Sequence, residues 1–165
     1  MPGIKSYNRD MAIAYAHKWA LSRNPAYFDF TNFGGDCTSF ISQCVYAGSG
    51  VMNYTPTFGW YYISSYDRTA SWTGVKYFYN FLTTNKTKGP FASEVPLSEV
   101  IPGDIIQLKN FADIYYHTLI ITEIRGPKTP DYILINAHDF NAQRRPLATY
   151  NYASYRCLHI EGVYI

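Results

Sequence analysis

The hydrophobic pattern of this chain changes its period once, and that change limits the folds it can adopt. Between residues 7 and 85, apolar residues recur at helical spacing. Between residues 103 and 165 they follow the shorter period of β-strands. Because helices come first and strands follow, the sequence predicts an α+β fold, with N-terminal helices packed on a C-terminal antiparallel sheet. An alternating, doubly wound fold is excluded.

The helical half contains three stretches with the expected spacing: 7–22, 37–48 and 71–85. Ser6 or Asn8 is the predicted cap of the first helix, and Gly48 is the predicted end of the second. Residues 49–70 are aromatic-rich and are expected to be irregular. Residues 86–102 contain three prolines and are predicted to form a linker.

The second half contains four β-rich stretches: 104–108, 115–124, 132–138 and 155–165. No internal repeat separates them from the helices. A length of 165 residues suits one domain. We therefore expect a single domain over 1–165, with a helical part at about 7–85 and a sheet part at about 103–165.

Composition narrows the classes of function. Charged residues make up 16% and aromatic residues 18% of the chain, which excludes a disordered protein. The net charge is +2 and no run of Lys or Arg occurs, so no nucleic-acid partner is expected. No apolar run of about 18 residues predicts a membrane span, and the polar N-terminus does not read as a signal peptide. We expect a monomer.

The cysteines argue against both a disulfide framework and a zinc site. Cys37, Cys44 and Cys157 are an odd number, so they cannot form a closed set of disulfides. Their spacing includes no C-x-x-C pair, and the histidines form no H-E-x-x-H motif. No metal and no other cofactor is predicted.

Cys37 is the candidate nucleophile. It follows Gly34 and Gly35 and stands at or just before the start of the second predicted helix. A helix N-terminus favours negative charge and lowers the pKa of a thiol, and backbone N–H groups there can face an oxyanion. Cys44 lies within the apolar stripe of the same helix and is interpreted as a core residue.

His117 is the candidate general base, because a cysteine nucleophile needs one and this histidine enters an apolar strand. The base in turn needs an acceptor on its second ring nitrogen. Asn136 and His138 share one face of the next predicted strand, and either could serve. Asp139 is a weaker third option. The residues alone do not choose between them.

These motifs together resemble the amidase domain family of Gram-positive bacteria. The resemblance follows chain order over nearly the whole sequence, through Tyr7-Asn8-Arg9, Asn24-Pro25, Gly34 to Gln43, Ser71-Trp72-Thr73, Pro102-Gly103-Asp104, His117-Thr118 and His138. The family is similar to the papain-like cell-wall hydrolases of the CHAP and NlpC types. The resemblance implies a papain-like fold, with Cys37 as nucleophile and His117 as base.

The resemblance leaves the third residue open. NlpC-type enzymes favour His138, whereas CHAP-type enzymes favour Asn136. Position 31 is Thr, so the glutamine that papain uses in its oxyanion hole is missing here. Tyr27 and Asn32 are candidates for a side-chain donor.

The implied activity is hydrolysis of an amide bond in peptidoglycan, through a thioester, by a muramoyl-alanine amidase or a peptide endopeptidase. The implied location is extracellular or in the cell wall, as a mature fragment or lysin domain. The alternative is a non-catalytic module that binds wall glycan or peptide through an aromatic surface. In either case we expect an aromatic-walled cleft, and five residues are assigned to substrate binding: Tyr27, Asp36, Trp60, Trp72 and Tyr116.

Overall fold

A computed structural model describes residues 2–165 and confirms the α+β fold, with the N-terminal helices packed against a C-terminal antiparallel sheet. Within these residues the α-helices are α1 (Arg9–Trp19), α2 (Cys37–Ser49), α3 (Ala70–Thr73) and α4 (Val75–Thr84). Among the described residues, no helix is long and apolar enough to cross a membrane.

The first two predicted helices are present with small shifts. Asn8 caps α1 as predicted, because its side chain accepts a hydrogen bond from the N–H of Met11. Helix α2 continues past Gly48 and ends at Gly50, which has a left-handed conformation with φ 66°. Gly48 lies inside the helix, where the lack of a side chain allows Tyr7 to pack closely, since a Cβ there would lie 2.5 Å from Tyr7 Cε1.

The described residues form nine strands, which are, in chain order, β1 (Ile4–Lys5), β2 (Tyr62–Ser64), β3 (Asp67–Arg68), β4 (Gly89–Val95), β5 (Ile105–Lys109), β6 (Tyr115–Ile124), β7 (Ile133–Ala137), β8 (Ala142–Pro146) and β9 (Ser154–Tyr164). Strands β2 and β3 form a small hairpin. The other seven form one sheet in the order β1-β9-β5-β6-β7-β8, with β4 also paired to β9. All of these pairs are antiparallel.

The prediction of a linker over 86–102 is wrong, because seven of these residues form β4. Strand β4 pairs only with β9, so it is an edge strand. An edge strand tolerates Pro90, whose missing N–H removes no ladder hydrogen bond on the open side. The proline count therefore misled the prediction.

The sheet separates two apolar cores, and β6 contributes to both. Ile120 packs in the core on the helical side, together with Phe40 of α2. Leu119 and Ile121 pack in the opposite core. This alternation places Thr118 on the side of the helices and His117 on the other side, near the end of the sheet.

A buried carboxylate attaches α1 to the sheet. Arg9 Nη1 donates to Asp104 Oδ1 at 2.7 Å, and Arg9 Nη2 donates to the carbonyl of Ile160 at 2.8 Å. Asp104 also accepts from the N–H groups of Ile101 and Ile160, and its Oδ2 lies 2.8 Å from His159 Nδ1. The Pro-Gly-Asp motif thus has a structural role, which fixes the first helix against strands β5 and β9.

Candidate active site

Cys37 is the first residue of α2, at the point where the helix meets the sheet. The chain enters the helix through Gly34 and Gly35, whose φ values of 95° and 103° suit glycine. The hydroxyl groups of Thr38 and Thr118 lie 2.9 Å apart and join the start of α2 to β6. The residue after Cys37 therefore contacts the residue after His117.

His117 faces a cavity of about 500 Å³ at the end of the sheet. The cavity is lined by Tyr116, His117, Asp139, Phe140, Arg145, Tyr150 and Asn151. The imidazole ring lies 5.8 Å from the ring of Tyr150. The aromatic residues give the cavity flat apolar walls, and its polar groups come from three different segments.

Asp139 connects this cavity to the start of α2. It lies in the turn between β7 and β8, where Asp139 and Phe140 both have positive φ values, 58° and 65°. Its Oδ1 accepts from the N–H of Asp36 at 2.8 Å, and its Oδ2 accepts from the N–H of Cys37 at 3.2 Å. Gly35 permits this approach, since a Cβ there would lie 2.6 Å from Asp139 Oδ2. One carboxylate thus contacts the backbone of Cys37 and lines the cavity of His117.

Burial sets the protonation of both candidate catalytic groups. It raises the pKa of the Cys37 thiol to about 11, despite hydrogen bonds from Thr118 and Thr38 that lower it. Burial also lowers the pKa of His117 to about 4. At neutral pH the resting site therefore holds a thiol and a neutral imidazole. Desolvation therefore changes the pKa of the thiol more than the helix N-terminus does, which had led us to expect a lowered pKa.

No hydrogen bond joins Cys37 Sγ to the ring of His117 within residues 2–165. The contact between them runs through Thr118 and Asp139 instead. In the absence of substrate, hydrogen bonds between catalytic groups are often longer than usual. The lack of a direct hydrogen bond is therefore compatible with Cys37 as nucleophile and His117 as general base. The assignment of Cys37 and His117 stays a prediction.

His138 is held away from the His117 ring. Its Nδ1 lies 2.6 Å from Asp36 Oδ2, and its Nε2 lies 2.7 Å from the carbonyl of Trp19. Its ring also stacks on Phe40, with the ring centroids 3.8 Å apart. Both ring nitrogens are thus engaged by groups other than His117. His138 therefore attaches the β7–β8 turn to the helices.

Asn136 is also engaged elsewhere. Its Nδ2 lies 3.0 Å from His17 Nδ1, and its Oδ1 accepts from the N–H of Arg144 at 2.9 Å. Neither residue predicted as the acceptor for His117 bonds to it in this structure. Asp139, the weaker option, is the candidate whose negative charge acts on His117 and raises its pKa against the effect of burial.

The five residues predicted to bind substrate differ in burial and in the groups that they contact. Trp60 and Trp72 are fully buried in the helical core, which excludes direct contact with a ligand in this structure. Tyr27 stacks on Trp72, with the ring centroids 5.9 Å apart, and Asp36 is buried against His138. Tyr116 is 41% exposed and lines the cavity. Aromatic content alone could not separate core rings from surface rings.

Four residues that line the cavity were not predicted from the sequence: Phe140, Arg145, Tyr150 and Asn151. The sequence feature that could have predicted them is the His-Asp-Phe-Asn segment at 138–141, because its two central residues form the turn between β7 and β8. Asp is acceptable in a turn with positive φ, but Phe is unusual there, so the hairpin pattern was hidden. Among the described residues, no group of three or more His, Cys, Asp or Glu is placed to hold a metal ion.

Alkylation should distinguish Cys37 from the other thiols. Cys37 is 7% exposed, whereas Cys44 is 0% and Cys157 is 1% exposed. We expect iodoacetamide to modify Cys37 first in the folded protein. Because the thiolate is the reactive form, the rate should keep rising with pH up to about 11. Peptide mapping by mass spectrometry checks this, and equal modification of all three would contradict it.

The fold and the site define an α+β domain with a cysteine at a helix start beside a histidine-lined cavity, an arrangement suited to nucleophilic acyl chemistry. The chain belongs to the family described as "Putative amidase domain", whose model matches residues 6–160. The family name indicates a hydrolase. The resemblance to the amidase domain family is thereby confirmed.

One curated relative is "Uncharacterized protein YhbB" of Bacillus subtilis (strain 168). It is 33% identical over 143 residues, which cover 84% of this chain and 43% of that relative. The chain thus spans less than half the length of the relative that it matches. No solved structure matches the chain.

Proposed function

We propose that this domain is a cysteine hydrolase that cleaves an amide bond of peptidoglycan, with Cys37 as nucleophile and His117 as general base. The observation that carries the proposal is the position of Asp139. Its carboxylate accepts from the N–H of Cys37 and also lines the cavity that contains His117. The thiol-bearing helix start and the candidate base thus belong to one site, in a chain of the amidase domain family.

The reaction starts from the neutral pair. His117 takes the proton of the Cys37 thiol as the sulfur attacks the amide carbonyl, and the carbonyl π electrons move to the oxygen. The tetrahedral intermediate collapses, the C–N bond breaks, and protonated His117 gives its proton to the leaving amine. Water, deprotonated by His117, then attacks the thioester. The carboxylic acid leaves, and the proton returns to the sulfur.

The oxyanion needs hydrogen-bond donors, and the N–H of Cys37 is the natural one. In the structure that N–H donates to Asp139 Oδ2. On this proposal, the substrate carbonyl displaces the Asp139 carboxylate, which then lies free to stabilise the His117 imidazolium. Asp139 would thus replace Asn136 and His138 as the partner of the base.

Peptidoglycan is proposed as the substrate from the resemblance to cell-wall hydrolases and from the character of the cavity. Its walls are the rings of Tyr116, Phe140 and Tyr150, which offer flat faces and hydroxyl groups to a sugar-peptide polymer. On this proposal the domain acts at the cell wall as a monomer. The alternative of a wall-binding module through aromatic rings is weakened, because Trp60 and Trp72 are in the core.

Digestion of purified peptidoglycan tests the proposal. Mass spectrometry of the soluble products identifies the newly freed amine, which distinguishes a muramoyl-alanine amidase from a peptide endopeptidase. We expect one new amine per cleavage and unchanged glycan linkages. Release of reducing sugar ends without new amines would contradict amide hydrolysis.

On the acid side, kcat/KM should fall at a pH well below the usual pKa of histidine. The neutral form of His117 is the base, and burial lowers its pKa from 6.5 to about 4. We therefore expect kcat/KM to stay nearly constant from pH 8 down to about pH 5 and to fall only near pH 4. A pH profile of amine release checks this. Half-maximal kcat/KM near pH 6.5 would contradict it.

A further inference from the structure

Arg145 presents a fixed positive charge to the cavity that contains His117. Its guanidinium carbon lies 3.7 Å from the ring centre of Tyr150. Its Nε donates to Thr149 Oγ1 at 2.7 Å, and its Nη2 donates to the carbonyl of Thr149 at 3.0 Å. These contacts fix the guanidinium plane. The guanidinium also acts on the hydroxyl of Tyr150, and within residues 2–165 no carboxylate or carbonyl accepts from Nη1.

Arg145 has no carboxylate within 4.0 Å among the described residues. The neighbouring Arg144 has Glu123 at 4.0 Å, and Arg9 has Asp104 at 2.7 Å. The positive charge of Arg145 acts on His117, whose pKa it lowers. A positioned guanidinium with free N–H groups, close to the candidate base, is suited to a planar anion.

We propose that Arg145 binds a carboxylate of the substrate, within about one residue of the amide bond that is cleaved. This inference rests on the proposed function and narrows its substrate class to acidic peptides. The carboxylate would accept from Nη1 and Nη2 in the fork geometry that arginine offers. The rings of Tyr116 and Phe140 would then cover the apolar parts of the same peptide.

Arg144 is a matched control for Arg145. The two residues are adjacent in β8 but have different surroundings: Arg144 lies 4.0 Å from Glu123, whereas Arg145 lines the cavity. Arg144 is exposed, and its charge acts on His17, on the other side of the sheet from the cavity. Arg144→Gln and Arg145→Gln therefore remove the same charge, but only Arg145→Gln removes it from the cavity.

The experiment uses disaccharide-peptide fragments of peptidoglycan in two forms, one with free carboxylates and one amidated with carbodiimide and ammonia. Binding to Cys37→Ala protein is measured by calorimetry, so that no hydrolysis interferes. We expect the free form to bind about tenfold or more tightly than the amidated form, as for hydrogen bonds to a charged group. Adding Arg145→Gln should remove that difference and leave the amidated form unaffected. Adding Arg144→Gln should change neither.

Equal binding of the two forms, or equal weakening of both by Arg145→Gln, overturns the carboxylate site. Hydrolysis by the unaltered protein separates this failure from failure of the proposed function. Equal hydrolysis of the free and amidated fragments overturns the carboxylate site at Arg145 but agrees with the proposed hydrolase activity. Arg145-dependent binding without any amine release overturns the hydrolase and supports the carboxylate site.

Discussion

Replacing Cys37 with alanine is expected to lower the rate of amine release from peptidoglycan by at least about 10³-fold. The thiol forms the covalent intermediate, and loss of the nucleophile in hydrolases that use covalent catalysis removes most of the rate enhancement. The fold should remain, because the side chain lies at a helix start and its hydrogen bonds are limited to weak contacts with Thr38 and Thr118. Amine release per mole of folded protein measures the effect.

Cys44→Ala is the control for loss of a thiol. Cys44 lies in the same helix but is fully buried in the core, away from the cavity. The variant should lose some stability and keep its activity per folded molecule. Undiminished amine release by Cys37→Ala would contradict the assignment of the nucleophile.

Replacing Asp104 with alanine is expected to lower the free energy of unfolding by about 3–5 kcal/mol. The substitution removes the carboxylate that pairs with Arg9 and leaves the guanidinium charge uncompensated. Asp104 is fully buried, and it accepts from Arg9 and from two backbone N–H groups. The loss is a large part of the total stability of a domain of this size. Urea unfolding measured by circular dichroism gives the change in free energy.

Asp131→Ala is the matched control, since Asp131 is exposed in the turn before β7. It removes the same charge and should change the free energy of unfolding by no more than about 0.5 kcal/mol. Equal effects of the two substitutions would contradict the structural role of the Pro-Gly-Asp motif.

Periodicity predicted the larger elements well. The helix that begins at Cys37 and the strand over residues 115–124 are present, because each has an apolar pattern long enough to define its period. Strand β8 escaped detection because its sequence, Ala-Gln-Arg-Arg-Pro, has few apolar residues. Its position at the edge of the sheet explains that polarity, since an edge strand faces water.

The candidate site was predictable only in part, because side-chain partners depend on tertiary contacts. Spacing placed His138 and Asn136 near His117, yet one bonds to Asp36 and the other to His17. The position of Cys37 at a helix N-terminus also suggested a lowered pKa for its thiol. The depth of burial that reverses that shift is a property of the packed structure.

The central claim is that Cys37 forms a thioester with the acyl part of peptidoglycan. The most direct test is the intact mass of the protein after rapid acid quenching of its reaction with disaccharide-peptide fragments. We expect an added mass equal to the fragment minus its leaving amine, located on Cys37 by peptide mapping and absent from Cys37→Ala. Amine release without any adduct on Cys37, and at the same rate in Cys37→Ala, would contradict the account.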